Sequence, residues 1–237
     1  MYPSARFVAV ALALIAAPAA AQNYREVPAQ GSPRSYFGIN LQLGFPQGEF
    51  KEFVGTGYGV GGNFTFFLDQ KNVAGLRLFG SWIQYGRTTE RLPLSPTLPG
   101  LYVDLTTAND IYTFGIGPEF RLGSGQVRGV LHGGIGASNF ATSTSAEGTD
   151  NVTPFATSTN FNDWTFAWYG GASALIQVSG GRKPVFIDGG LRYQSHGKTR
   201  YLREGSIEPQ PGGGVSFTPI ESKTDLMLVH LGVQIGF

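Results

Sequence analysis

The final thirteen residues, Asp225 to Phe237 (DLMLVHLGVQIGF), constrain the fold more than any other segment of the chain. Side chains on a strand alternate between two faces, so residues two apart share a side. Met227, Val229, Leu231, Val233, Ile235 and Phe237 fall on one face, and His230, Gly232, Gln234 and Gly236 on the other. One side of this strand is greasy and the other polar or bare. A soluble sandwich strand shows similar alternation, but a soluble edge is blunted by charge or proline, and here the last residue is an unshielded aromatic. The segment reads as a strand whose apolar face meets hydrocarbon.

The opposite end supplies a compartment. Arg6 gives a positive start, Phe7–Ala16 a short apolar run, and Ala19-Ala20-Ala21 a small-residue cleavage site before Gln22. These three parts make residues 1–21 a secretory signal peptide. The apolar run falls short of the roughly 20 residues a spanning helix needs. No later stretch is long and apolar enough for a membrane helix, so a membrane-embedded chain of this kind spans as strands.

Composition agrees. The chain holds 35 Gly in 237 residues, with 13% aromatic and only 14% charged residues; an average chain has about 7% Gly and 25% charged residues. Cys is 0, which excludes a disulfide framework and thiolate chemistry. Removing residues 1–21 takes away Arg6 and no acid, leaving Lys+Arg 16 against Asp+Glu 16. A formally neutral chain offers no electrostatic footprint for nucleic acid.

Period-two alternation predicts eight strands: Tyr36–Phe45, Tyr58–Leu68, Val73–Tyr85, Asp110–Leu122, Val127–Phe140, Asp163–Val178, Val185–His196 and Thr224–Phe237. Each has about the 9–11 residues, or slightly more, that a tilted strand needs to cross a bilayer. The connections alternate. Asp69–Asn72, Gly123–Gln126 and Ser179–Pro184 are tight turns, whereas Pro46–Gly57, Gly86–Asn109, Ala141–Asn162 and Gly197–Lys223 are long loops. Short turns on one side and long loops on the other mark a transmembrane β-barrel. The loop stretches Arg91–Gly100 (proline-rich), Ala141–Asn160 (Ser/Thr-rich) and Pro209–Gly214 (Pro/Gly-rich) favour extended or mobile conformations. The chain thus divides into a signal peptide (1–21), a flexible leader (22–35) and a barrel (36–237).

The faces follow. In the fifth strand Val127, Leu131, Ile135 and Ala137 oppose Arg128, His132, Gly134 and Ser138; in the sixth Trp164, Phe166, Trp168, Ile176 and Val178 share a side. Val185, Ile187, Leu191 and Tyr193 point outward in the seventh, with an irregularity expected near Gly189-Gly190. Phe45, Trp82, Tyr85, Trp164, Phe166 and Phe237 at strand ends are expected in interfacial girdles. The inward set is Arg77, Glu119, Arg121, Arg128, His132, Asp188, Arg192 and His230. If Leu122 pairs with Val127, Arg121 faces Arg128, and Glu119 faces Val130, diagonal to Arg128 and His132. Eight strands enclose a space just wide enough to be filled by side chains, so these residues are expected to form a salt-bridged plug. The alternative is a polar translocation path.

Other motifs carry less. Gly57-Tyr-Gly-Val-Gly-Gly62 matches a dinucleotide-binding pattern but precedes a strand where that site needs a helix. His132, His196 and His230 lie on separate strands without metal-ligand spacing, so no metal or cofactor is expected. Asn63-Phe-Thr and Asn151-Val-Thr match the glycosylation pattern, which a bacterial-type export context makes uninformative.

With Phe237 terminal and Ile235, Val233, Leu231 and Val229 at alternate positions before it, the chain resembles the small bacterial outer-membrane β-barrels, the OmpA-, OmpX- and OmpW-like proteins, over about residues 36–237. It departs from them at Val233, where an aromatic is common. The resemblance implies an all-β, eight-stranded antiparallel up-and-down barrel, monomeric, exported to the outer membrane, with both mature termini in the periplasm; no periplasmic peptidoglycan-binding domain is expected, since the sequence stops at the last strand. It also implies that Val229, Leu231, Val233, Ile235 and Phe237 are read by the barrel-assembly machinery, and that outer-membrane lipids surround the barrel. The leading expectation is a structural or surface-interaction role through the outer loops, with an extracellular ligand that the sequence does not identify. Passage of small hydrophobic solutes, as associated with OmpW-like barrels, is the alternative. An outer-leaflet lipid enzyme is the third class: Ser195-His196 sits where lipid A-modifying barrels keep a Ser/His pair, but adjacent strand residues point to opposite faces, so no catalytic role is expected.

Overall fold

Alternation of greasy and polar residues over eight segments leaves no sheet edge that could face lipid, and the chain resolves this by closing on itself. The computed structural model describes residues 33–93, 102–148, 151–202, 207–209 and 215–237; the predicted signal peptide and most of the leader lie outside them. The strands are β1 (Ser35–Pro46), β2 (Gly57–Phe67), β3 (Ala74–Pro93), β4 (Tyr102–Leu122), β5 (Val127–Gly148), β6 (Asn151–Ser179) and β7 (Val185–His196), then four short strands, and β12 (Leu226–Gly236). β1 to β7 and β12 pair in sequence order, and β12 returns to β1, closing an eight-stranded antiparallel barrel. The short strands β8 (Lys198–Tyr201), β9 (Ile207–Pro209), β10 (Val215–Phe217) and β11 (Ile220–Lys223) fold the last connection into two hairpins, β8 with β11 and β9 with β10.

All eight predicted strands are present and, Tyr85 and Arg128 apart, have the predicted faces. Exposed Ile39 and Leu41 (β1), Val60 (β2), Leu78 (β3), Phe114 (β4), Leu131 (β5), Trp168 (β6), Leu191 (β7) and Leu231 (β12) place a large apolar side chain on the outside of every barrel strand.

Four expectations need correction. The segments read as loops, Gly86–Asn109 and Ala141–Asn162, are largely strand: β3 and β4 stay paired to Pro93 and Tyr102, and β5 and β6 to Gly148 and Asn151. Threonine favours strands, and cross-strand hydroxyl pairs such as Thr89 with Thr106 (2.9 Å) and Thr107 with Thr144 (3.0 Å) sustain the ladder. Tyr85 is buried inside, not in a girdle, at a bulge where the register shifts between Gln84 and Gly86. No irregularity marks Gly189-Gly190; the pairing of β7 runs through it unbroken on both sides. Finally, Leu122 pairs with Gly129, two residues beyond expectation, so Arg121 faces Val130 and Glu119 faces His132. Val127 and Arg128 pair only with β6, and Arg128 folds back to donate to the Gly125 carbonyl (3.1 Å). The longer turn, with Gly123 at φ 86°, takes the two arginines out of direct cross-strand register.

Candidate functional site: the barrel lumen

The lumen is filled in layers. At the end with the long connections, the first of them forms a 3-10 turn (Gly48–Glu52) that drops Phe50 into the barrel mouth. The Phe50 ring stacks edge-on against Tyr201 (5.1 Å between centroids), Tyr85 (5.8 Å) and Phe140 (6.1 Å). Val54, Ile83, Ile111, Leu226 and Leu228 complete this buried cluster. Two contacts hold the cap: Glu49 accepts from the Lys223 amide (3.1 Å), and the Gln47 amide donates to the Asp225 carbonyl (2.9 Å). A second apolar cluster, Tyr36, Phe67, Val130, Leu175 and Phe186, closes the end with the tight turns.

The charged residues lie between the clusters. Glu119 is fully buried and accepts from Arg77 (2.9 Å), Arg121 (3.1 Å) and Thr65 (2.8 Å). Arg121 also donates to Gln234 (2.7 Å) and lies over the rings of Tyr36 (4.0 Å) and Phe67 (4.3 Å). Asp188 sits 3.4 Å from His230. Arg192 donates to Gln42 (3.4 Å) and covers the Phe79 ring (4.4 Å). Ser81 donates to the same Gln42 oxygen (2.8 Å), and a Cβ at position 61, diagonal to Gln42 across β1–β2, would collide with the Gln42 amide. Seven of the eight expected inward residues are therefore buried in the lumen. Arg128 is only half-buried, at the rim, where it donates to Gln177 (3.1 Å) and covers Phe186 (4.9 Å).

Ser195 and His196 are not brought together. Ser195 donates to Asp225 (2.7 Å), while His196 is buried against the Thr224 carbonyl and Gln194. The Gly57–Gly62 pattern lies on β2 with no helix after it, and Asn63 is buried inside the barrel. The expected assembly residues Val229, Leu231, Val233, Ile235 and Phe237 all face outward. Outside the span, the partly exposed Asp69 carboxylate closes the β2–β3 turn. Amide donors, Ala74 foremost and then Val73 and Lys71, hold it below its ordinary pKa of 3.8.

The sequence reading missed the cap: Phe50, Tyr201 and Leu202 sit in segments read as loop. A lone aromatic between Gly48 and Glu52 was the available signal.

A closed barrel with its ion pairs inside and large apolar residues all round its outside is built for hydrocarbon, where every backbone polar group must be paired within the protein. This is a membrane-spanning β-barrel. No family model matches the chain, and no curated protein is detectably similar to it in sequence. Among solved structures it is similar to a major outer membrane protein from Thermus thermophilus, at 11% identity and TM-score 0.48, covering 86% of this chain and 99% of that one. It is also similar to Ail, the attachment invasion locus protein of Yersinia pestis, at 13% identity and TM-score 0.43, covering 87% and 99%. A third is the outer membrane protein OprG from Pseudomonas aeruginosa, at 10% identity and TM-score 0.43, covering 88% and 99%. At these values the barrel assignment stands on its own strand pairing and not on the likeness.

Proposed function

We propose that the protein is a monomeric outer-membrane barrel, exported by its signal peptide, that meets extracellular partners through the strands rising out of the membrane. The tight turns and both mature termini then face the periplasm. The observation that supports this reading is the unequal strand length: β3 to β6 have 20, 21, 22 and 29 residues, against 11 or 12 for the other barrel strands. Crossing the hydrocarbon takes about 9–11 residues. The rest of β3 to β6 forms a four-stranded wall rich in hydroxyls, including the row Thr88, Thr107, Thr144 and Ser158. From Asn151 to Trp164, β6 alone runs roughly 40 Å along the strand. Such a wall has no packing task inside the membrane.

The test replaces residues 88–107 and 144–158 by short turns and compares retention of cells on glycan- and protein-coated surfaces. The reading expects retention to fall while folded barrel, followed by its heat-modifiable gel mobility, stays at the original level. Unchanged retention overturns it. A second reading, passage of small hydrophobic solutes, is favoured by the apolar character of the outer half of the lumen, where Phe50 occupies a space lined by Ile83, Ile111, Leu226 and Leu228. Faster uptake of an apolar solute by cells carrying the protein would support that reading.

A further inference from the structure

Inside the barrel, positive charge and hydrogen-bond donors are in excess. Three fully enclosed arginines, Arg77, Arg121 and Arg192, face two enclosed carboxylates, Glu119 and Asp188. Glu119 is committed to Arg77 and Arg121, and Asp188 to His230. Among the described residues Arg192 has no carboxylate within ion-pair distance, only the Gln42 amide oxygen and the Phe79 ring face. An isolated buried cation is costly unless something of opposite charge is held beside it.

Several of the buried polar atoms left without a protein partner belong to Arg192 and to inward residues near it; the others belong to Asn63, Asn72, Arg121, Ser173, Gln194 and Thr224. The first group comprises Nε of Arg192, Nε of Arg77, both ring nitrogens of His132 and the Tyr169 hydroxyl. Guanidinium Nε–H groups can only donate, and a neutral imidazole supplies one further N–H. The register puts His132, Gly171 and Arg192 in one row across β5, β6 and β7. Gly171 keeps that row open: a Cβ there would lie 2.7 Å from the His132 Nε2 and 3.0 Å from the Arg192 Cα. The Tyr169 ring packs on Phe79 (4.4 Å between centroids), the ring that Arg192 covers.

We infer that the mid-lumen holds one small inorganic anion of the halide class, bound by Arg192 with His132, Arg77 and Tyr169 around it. A halide accepts from several donors at once and needs no oriented partner, which suits the unpaired N–H and O–H groups of Arg192, Arg77, His132 and Tyr169. An ion at this depth, between two apolar clusters, equilibrates only when the barrel opens, so it is read out by unfolding and refolding. It acts as a ligand of the folded state and raises stability with concentration.

The test measures urea unfolding and refolding of the full chain in detergent at fixed ionic strength, with sodium chloride or bromide exchanged for sodium gluconate. The urea midpoint is expected to rise with halide and saturate, and Arg192→Met is expected to abolish the rise. A rise that persists in Arg192→Met is a general salt effect and overturns the inference, as does an equal midpoint in chloride and gluconate. If Arg192→Met does not fold, bromide anomalous scattering from crystals of the unmodified protein refolded in bromide decides: a peak beside Arg192 upholds the site, and none overturns it.

Discussion

Replacing Glu119 by Ala removes the one carboxylate shared by Arg77 and Arg121. Breaking a buried pair by taking away one partner costs about 3–5 kcal/mol, because it strands the charge left behind. The two arginines are not equally exposed to that loss. Arg121 keeps Gln234 and the faces of Tyr36 and Phe67, whereas Arg77 has no other partner among the described residues and its Nε already lacks one. Most of the cost therefore falls on Arg77, and Thr65 loses its acceptor as well. Glu119→Ala should reduce stability by about 3–5 kcal/mol, and adding Arg77→Met should restore about 1–3 kcal/mol of it, the coupling expected of contacting residues. Equilibrium urea unfolding in liposomes reads this directly, since Trp164 and Trp168 lie on the outer face and report transfer from lipid to water. A loss below about 1 kcal/mol, or a double variant no better than Glu119→Ala alone, would refute the view that this carboxylate neutralises the lumen.

Single arginine substitutions at the outward residues Leu131, Trp168 and Leu191 should each cost roughly 2–4 kcal/mol in the same assay if these sites lie near mid-depth. Thr157→Arg, on the exposed wall, should leave the midpoint unchanged. Phe237→Asp should sharply lower the amount of folded barrel in outer-membrane fractions; wild-type levels would argue against a terminal assembly signal. Because the Asp69 carboxyl titrates below its ordinary value of 3.8, it stabilises the fold fully above that pH and less as pH falls through its folded pKa. Asp69→Asn should therefore be less stable than the unmodified chain near neutrality, and the gap should close on acidification; a gap independent of pH would contradict the assignment.

Much of the barrel is legible in the sequence because a membrane-facing strand must keep its alternation. The faces of β5, β6 and β12 follow from parity alone, as does the burial of Glu119, Asp188 and Arg192. Parity does not carry register: in β4–β5 it left open whether Arg121 meets Arg128 or Val130, and a turn two residues longer decided it. The upper reaches of β3 to β6 are not legible in the sequence because serine and threonine serve loops and strands alike once no buried face demands apolar partners. Tyr85 illustrates the remaining difficulty. Its parity matches inward Arg77, but an aromatic at a strand end also fits the interface, and only the bulge and the presence of Phe50 show which applies. Phe50 itself reaches the core from a loop, where no periodicity exists to signal it.

The most direct test of the closed lumen is ion conductance of the purified, folded chain in planar bilayers, alone and as Phe50→Ala. The charged layer lies below the Phe50 cap, so the lumen is closed twice. The account predicts no steady channel in either protein, because removing the cap leaves Arg77, Glu119 and Arg121 in place. A stable, porin-sized open state in the unmodified protein would contradict it.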